Sequence, residues 1–437
     1  MVGYGTFYSG SYSALDPNYG PLFTGYRVPA SQIYYTTDFR TAAQLQEVAT
    51  KLSAGMKGFE ISAISPEVLE SIPKQHLKEL ERLGKLTGVD FTMHGPILDP
   101  AGFRGDSWSE EQRKAIERQM QFVIDKAHEL SPNGNIPVTF HATGGTPSTL
   151  TPRPAPPPIT EEHPIFVVDK ATGRLTAFSR AKEFKPEEGK EVWLDPEEQL
   201  KKENKRIWTK WIHERALEIN ESDKLIRESY PKVAPLPKEA LKEEEKLPPE
   251  QRDALTKLRT AHLIYNYSLE GLRKIYDEAM TLWSPEEIRR HKEELEKIRR
   301  DILRIERENL VEKRPLEAIK RTNEIIRKFH SLIKENPPPI YTPTDRFALE
   351  KTKETIANVA LYAYKKYKDK APIVSLENIM PGAVFGTGSS LAQLVKASRE
   401  EFVKKAIQAG YSEDEAKKAA EKLIGATPDP VSYTHLT

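Results

Sequence analysis

The sequence predicts an α/β chain built as a parallel (β/α)8 barrel, present through about five strand units and interrupted by a large, mainly helical insertion after the fourth strand. Three observations carry this. Short β-prone runs recur and are followed by helical sequence: Phe91-Thr-Met-His-Gly-Pro96, Pro137-Val-Thr-Phe-His141 and Pro372-Ile-Val-Ser-Leu-Glu-Asn378. Each run stops on a group able to hold a metal, namely His94, His141 and Glu377, and a parallel barrel collects its chemistry at the carboxyl ends of its strands. Between the second and third runs, proline-rich stretches bracket a long charged segment that breaks the alternation.

Taken in order, residues 1–31 are rich in Gly and Tyr, lack periodicity, and read as an irregular arm. The first part of the barrel covers 32–145. Strands are expected at 32–37, 58–64, 91–94 and 137–141, with amphipathic helices at 41–52, 73–86 and 109–130 between them. Ser109 followed by Gln112 gives the last of these a capping box. The insertion covers 146–340. It opens with a polyproline-like connector through Pro158, continues as a hairpin over 165–178 with Gly173 in its turn, and becomes helical from 195 to 335. Ile288, Leu295, Ile298, Ile302 and Ile305 keep heptad spacing, with His291 in the remaining seam position and Leu255, Leu258, Tyr265, Leu272 and Ala279 as the facing seam. The barrel resumes over 341–430, with helices at 345–368, 391–409 and 412–424 around a strand ending at Glu377. Residues 431–437 resemble one translated frame of a transposon-based sequencing adapter and are set aside as non-native, so the natural chain is expected to continue and His435 is no ligand candidate.

Lys plus Arg total 66 and Asp plus Glu 65, so no global charge pulls the chain toward nucleic acid or an anionic membrane. There is no cysteine, which leaves His, Asp and Glu as the strong metal ligands and fits a cytoplasmic protein. No apolar run approaches the length needed to cross a bilayer.

Two imidazoles and a carboxylate together suit zinc, manganese or iron. From residue types alone, each His could equally be a hydrogen-bonded structural group, and Glu377 a cap or surface group. Glu60 near the end of the second strand could reach the same mouth or satisfy a neighbouring cation. The loop from Gly382 to Gly388 lacks the Lys-Ser/Thr of a P-loop and reads as a turn. His213, His262 and His330 lack paired spacing, and Trp208 and Trp211 read as helix packing.

Met93-His-Gly-Pro-Ile97, Phe140-His-Ala-Thr-Gly-Gly145 and Leu376-Glu-Asn-Ile379 resemble the third, fourth and fifth strand-end motifs of the xylose isomerase-like TIM-barrel superfamily, and within it most resemble endonuclease IV, the abasic-site endonuclease. The resemblance spans about 32–145 and 345–425. It implies that His94, His141 and Glu377 are ligands of divalent ions, usually zinc, with Glu377 bridging, and that the substrate is damaged DNA. The family's Asp-x-x-His on a sixth strand has no counterpart; Asp429 lies near where that strand would begin. The long insertion and the loop Ile97-Leu-Asp-Pro-Ala-Gly102 also depart from the family. Sugar isomerases and epimerases of the same superfamily hold a single metal with similar residues, which makes a sugar the alternative substrate. A further alternative is a non-catalytic barrel whose helical arm binds a protein partner.

Overall fold

A computed structural model describes residues 34–53, 55–62, 65–149, 164–186, 189–237, 241 and 243–427. The N-terminal arm, most of the proline-rich connector, Asp429 and the adapter-like tail lie outside the described residues. The described residues fall into two compact units, those of 1–160 with 344–437 and those of 161–343.

The first unit opens with β1 (Tyr34–Thr36), α1 (Gln44–Ser53), β2 (Gly58–Ser62), α2 (Pro66–Ser71), α3 (Lys74–Thr87) and β3 (Asp90–His94). A small antiparallel ribbon, β4 (Phe103–Arg104) with β5 (Ser107–Trp108), precedes α4 (Glu110–Leu130) and β6 (Pro137–His141). The second unit then follows as β7 (Ile165–Asp169), β8 (Leu175–Phe178), β9 (Lys182–Lys185) and β10 (Lys190–Trp193). It continues through the helices α5 (Pro196–Val233), α6 (Pro249–Leu282), α7 (Pro285–Arg290), α8 (Lys292–Arg307), α9 (Leu310–Lys313) and α10 (Pro315–Glu335), and ends in β11 (Tyr341–Pro343). The chain completes the first unit with α11 (Thr344–Tyr367), β12 (Ile373–Glu377), α12 (Gly388–Gln408), α13 (Glu413–Leu423) and β13 (Ile424–Ala426).

The first unit is a six-stranded parallel sheet in the order β1-β2-β3-β6-β12-β13, so every strand lies beside its predecessor in this series. Local chemistry sets the helices between strands. Ser109 accepts a hydrogen bond from the Gln112 amide at the start of α4, Ser412 does the same for Glu415 at α13, and α3 stops where Gly88 turns left-handed at φ 71°. Alternation along each strand separates two faces. Phe59, Ile61, Met93, Val138, Phe140, Val374 and Leu376 are buried on one, each burial stabilising by about 1.5–3 kcal/mol. Helices pack directly there: a Cβ on Gly84 of α3 would fall 2.9 Å from the Phe91 ring. The alternate positions are Glu60, Ser62, Thr92, His94, Thr139, His141, Ser375 and Glu377. A parallel sheet covered on both faces reads as continuous apolar sequence; this one has a polar second face.

The structure corrects the expectation of about five strand units. Ile424–Ala426 forms a sixth parallel strand, pairing Val374 with Ile424 and Leu376 with Ala426, where the helical pattern had been expected to run through Ile424.

In the second unit, α5 and α6 are stitched together by buried hydroxyls. Ser222 donates to the Ala261 carbonyl at 2.8 Å and Ser268 to the Arg215 carbonyl at 3.0 Å. Trp208 is fully buried and donates to the Pro338 carbonyl at 2.8 Å, with Trp211 edge-on to it at 5.1 Å. Both tryptophans serve helix packing. Hairpin β7–β8 forms with Gly173 at φ 72°, and β11 joins the other edge of β7. The heptad positions Leu295, Ile298, Ile302 and Ile305 are buried, as are Leu255, Leu258, Tyr265, Leu272 and Ala279, but the two sets are not each other's main partners: α8 packs chiefly on α10, and α6 on α5. The helix is not continuous, however. His291, expected within the seam, stands between α7 and α8 at φ −107° and ψ 19°, where the backbone leaves helical geometry.

Candidate metal centre

β3, β6 and β12 are successive neighbours in the sheet, and each ends on one of the three residues singled out by sequence. Register places Glu377 beside His141 and His94 beside Thr139, all on the polar face. His94 Nε2 lies 3.1 Å from Glu377 Oε2, and His141 Nε2 lies 3.6 Å from the same oxygen. The rings meet edge to face with centroids 5.0 Å apart. One donor atom from each of the three residues can be chosen so that all lie within 4.8 Å of one another.

This donor set fits a divalent ion. Ligands about 2.05 Å from a tetrahedral centre lie about 3.3 Å apart, and the observed 3.1 and 3.6 Å straddle that value. His94 is also held as a ligand should be. Its Nδ1 lies 2.8 Å from the Gly95 carbonyl, so a proton on Nδ1 leaves Nε2 facing Glu377. Gly95 is required for this arrangement, because a Cβ there would fall 2.7 Å from the Phe140 ring while its amide donates to the Thr139 carbonyl at 2.8 Å.

The electrostatics belong to a site with more negative than positive charge. Burial pulls the His94 imidazole down. The hydrogen bond to Glu377, that to the Gly95 carbonyl and the charge of Glu60 together outweigh it and raise its pKa above the ordinary value. Glu60 lies on the same face of β2, accepts a hydrogen bond from Thr36 at 3.3 Å, and has its carboxyl pushed up, chiefly by burial, with His94 pulling the other way.

The loops that follow the three ligands are bonded to one another. Asp99, after β3, is buried, and its Oδ2 accepts from the Gly144 amide at 2.8 Å, Thr146 Oγ1 at 2.9 Å and Thr143 Oγ1 at 3.1 Å. The loop after β6 in turn meets the loop after β12. Val384 donates to the Thr146 carbonyl at 2.8 Å, Ser148 to the Gly382 carbonyl at 2.9 Å, and Ala142 to the Glu377 carbonyl at 2.7 Å. Sequence reasoning passed over Asp99, Thr143 and Thr146 as individual residues. The signal was local: an Asp-Pro step and a Thr-Gly-Gly-Thr run, both favouring side-chain-bonded turns.

The Gly382–Gly388 loop turns the chain, with Gly382 at φ 83° and no room for a Cβ on Gly386 against the Met380 carbonyl. The start of α12 is capped by Thr387 accepting from the Ser390 amide. His213 is exposed on α5, and His262 is partly buried on α6 with its pKa lowered, chiefly by burial. Neither they nor His330 enter a three-donor group among the described residues.

Fold and site thus define a mixed α/β protein with a six-stranded parallel sheet and a His-His-Glu donor set at the carboxyl ends of three adjacent strands. No protein-family model, curated protein or solved structure matches the chain. No helix among the described residues is long and apolar enough to cross a membrane.

Proposed function

We propose that the chain is a divalent-metal-dependent hydrolase of the endonuclease IV type on a TIM barrel, cleaving phosphodiester bonds at abasic sites in DNA, with His94, His141 and Glu377 as ligands of Zn2+, or of Mn2+ or Fe2+. The single observation that carries the reading is the convergence of two imidazoles and one carboxylate, far apart in sequence, at one rim of a parallel sheet. The unbroken strand order supports the barrel, since a singly wound sheet has no reversal point and keeps its site at the carboxyl ends. Bound there, a divalent ion supplies Lewis acidity and an activated water. Gly95 fixes the His94 ring, and Glu377 offers one oxygen to both imidazole neighbours. The choice of a phosphodiester rests on the His-Gly-Pro, Phe-His and Leu-Glu-Asn motifs.

The test is nicking of a duplex carrying one abasic site by metal-loaded protein, with an undamaged duplex as control. A second reading, a sugar isomerase or epimerase, is favoured by one feature: the described residues offer a single three-donor group, enough for one ion. Metal content separates the two, since the nuclease needs a cluster and the isomerase one ion per chain. Isomerisation of a sugar with no nicking and a stoichiometry of one would replace the first reading with the second.

A further inference from the structure

We infer that Asp99 is the positioning residue of this centre: from a buried place between the loops after β3 and β6, it holds His94 and His141 at the spacing a shared ion requires. The inference rests on the metal reading above and adds the element that sets its geometry.

Three observations lead to it. First, Asp99 makes an unusual investment for a loop residue. One oxygen takes three donors from the β6 loop, and the other takes the Ala101 amide of its own loop at 3.0 Å. Second, the fit is close. A Cβ on Gly144 would stand 3.0 Å from the Asp99 Cβ, so the two loops touch backbone to side chain. Third, the β6 loop is the middle member of the set. Thr146 is bonded to Asp99 through its hydroxyl and to Val384 through its carbonyl, and Ser148 is bonded to Gly382, so all three loops behind the ligands meet at residues 143–148. β3 and β6 share only the register pairs Met93 with Val138 and His94 with Thr139 at this end. Besides those pairs, the Gly95 amide, the edge-to-face contact of the two rings and the Glu377 oxygen between them, the Asp99 cluster ties one histidine-bearing rim to the other through the loops. Among the described residues, the hydrogen bonds of the Asp99 side chain go to Ala101, Thr143, Gly144 and Thr146 and to none of the three ligands; it acts through the loops.

A carboxylate is the group this place requires. Gly144, Thr143 and Thr146 all present donors to one oxygen while Ala101 presents a donor to the other, and an amide has a single oxygen. Asp99→Asn therefore turns an N–H toward the Gly144 amide or the Ala101 amide, whichever way it is flipped.

The test compares the full-length wild type, Asp99→Asn, Thr146→Val and, as a control, Leu80→Ala, which opens a cavity in the buried face of α3. Co2+ is titrated in, affinity is read against a chelator, and the visible absorption reports coordination. Asp99→Asn should weaken Co2+ binding by about 10–100-fold, the range for losing a partner that orients ligands, and should change the absorption band. Thr146→Val should move both in the same direction by less, and supplies the answer if Asp99→Asn does not fold. Leu80→Ala should lower thermal stability while leaving affinity and spectrum unchanged. Wild-type affinity and spectrum in a folded Asp99→Asn protein overturn the inference, as does an equal loss of affinity in Leu80→Ala. If the wild type takes up no Co2+, the metal reading fails on its own. The positioning role is then decided by the 15N shifts of the His94 and His141 rings in the metal-free protein, which should move in Asp99→Asn and not in Leu80→Ala. Unmoved rings overturn it.

Discussion

Zinc should stabilise the first unit through Glu377, and the size of the effect follows from the arrangement of the donors. The three ligand atoms already lie near coordination spacing, at 3.1 and 3.6 Å for the two pairs that share Glu377, so little rearrangement opposes binding. With free Zn2+ at 100 times its dissociation constant, linkage gives about 2.7 kcal/mol of added stability. A domain of about 150–250 residues moves its midpoint by about 2–4 °C per kcal/mol, which predicts a rise of about 5–10 °C. Replacing Glu377 with Gln keeps the shape but removes the anionic ligand. If affinity falls by at least about 10–100-fold, the range for losing even an outer-shell partner, the same zinc concentration gives at most about 0.4–1.4 kcal/mol, and the rise shrinks to about 1–6 °C or less. The assay is scanning calorimetry of both proteins with and without Zn2+ and after chelator, alongside metal analysis of the dialysed samples. Equal shifts in wild type and Glu377→Gln would refute the placing of the ion between these residues, and so would a wild type that retains no metal and shows no shift.

Further expectations follow from individual contacts. Because His94 is raised above its unfolded value, the metal-free fold gains stability from it below the ordinary imidazole pKa of about 6.5 and loses that gain as pH rises through the raised value. Metal uptake should accordingly release a proton in that window, measurable by calorimetry in buffers of different ionisation enthalpy, with the signal absent in His94→Gln. His262 has the opposite sign. Its pKa is lowered, chiefly by burial, so stability should fall as pH drops below the unfolded value and through the lowered one, and His262→Leu should flatten urea midpoints across that range. Gly95→Ala should cost about 1–3 kcal/mol in urea melts, since its methyl meets the Phe140 ring at 2.7 Å and forces backbone or ring to shift. Unchanged midpoints would mean that the turn after His94 can relax freely.

Much of the first unit was legible because its strands announce both ends. Gly58 and Pro137 open runs of apolar and β-branched residues, and His94, His141 and Glu377 close them, so expected and observed strands differ by a residue or two. Capping chemistry marked α4 in the same way. β13 was not legible. Ile424-Gly-Ala426 follows α13 without a loop, is too short to show alternation, and is strand only because Val374 and Leu376 offer partners. The ribbon of β4 and β5, two residues each, carries no periodicity either. At His291 the apolar spacing was correct and the helix was still misread, because heptad spacing records which side chains are buried and not whether the backbone between them stays wound. The triad itself was visible as three separate strand endings. That its members share one carboxylate oxygen, and that Asp99 joins the loops behind them, depends on partners 44 to 283 positions away in the chain, which local pattern does not encode.

The pairing of β7 with β11 bears on how the chain reaches its native state. β6 and β12 are neighbours in the sheet although roughly 230 residues separate them, and closing so long a loop carries an entropic penalty that grows with the logarithm of its length. Once Val168 is paired with Thr342, the ends of the intervening segment are already together, and the free chain left to close shrinks to roughly 55 residues. The saving is about 1.3 kcal/mol, close to a tenfold gain in rate if it is realised at the barrier. The second unit should therefore assemble before the sheet is joined across β6 and β12. Stopped-flow refolding of a Val168→Asp variant checks the order: slower joining, with β1 to β3 forming at the wild-type rate, is the expected outcome, and an unchanged rate of joining would show that the sheet closes without help.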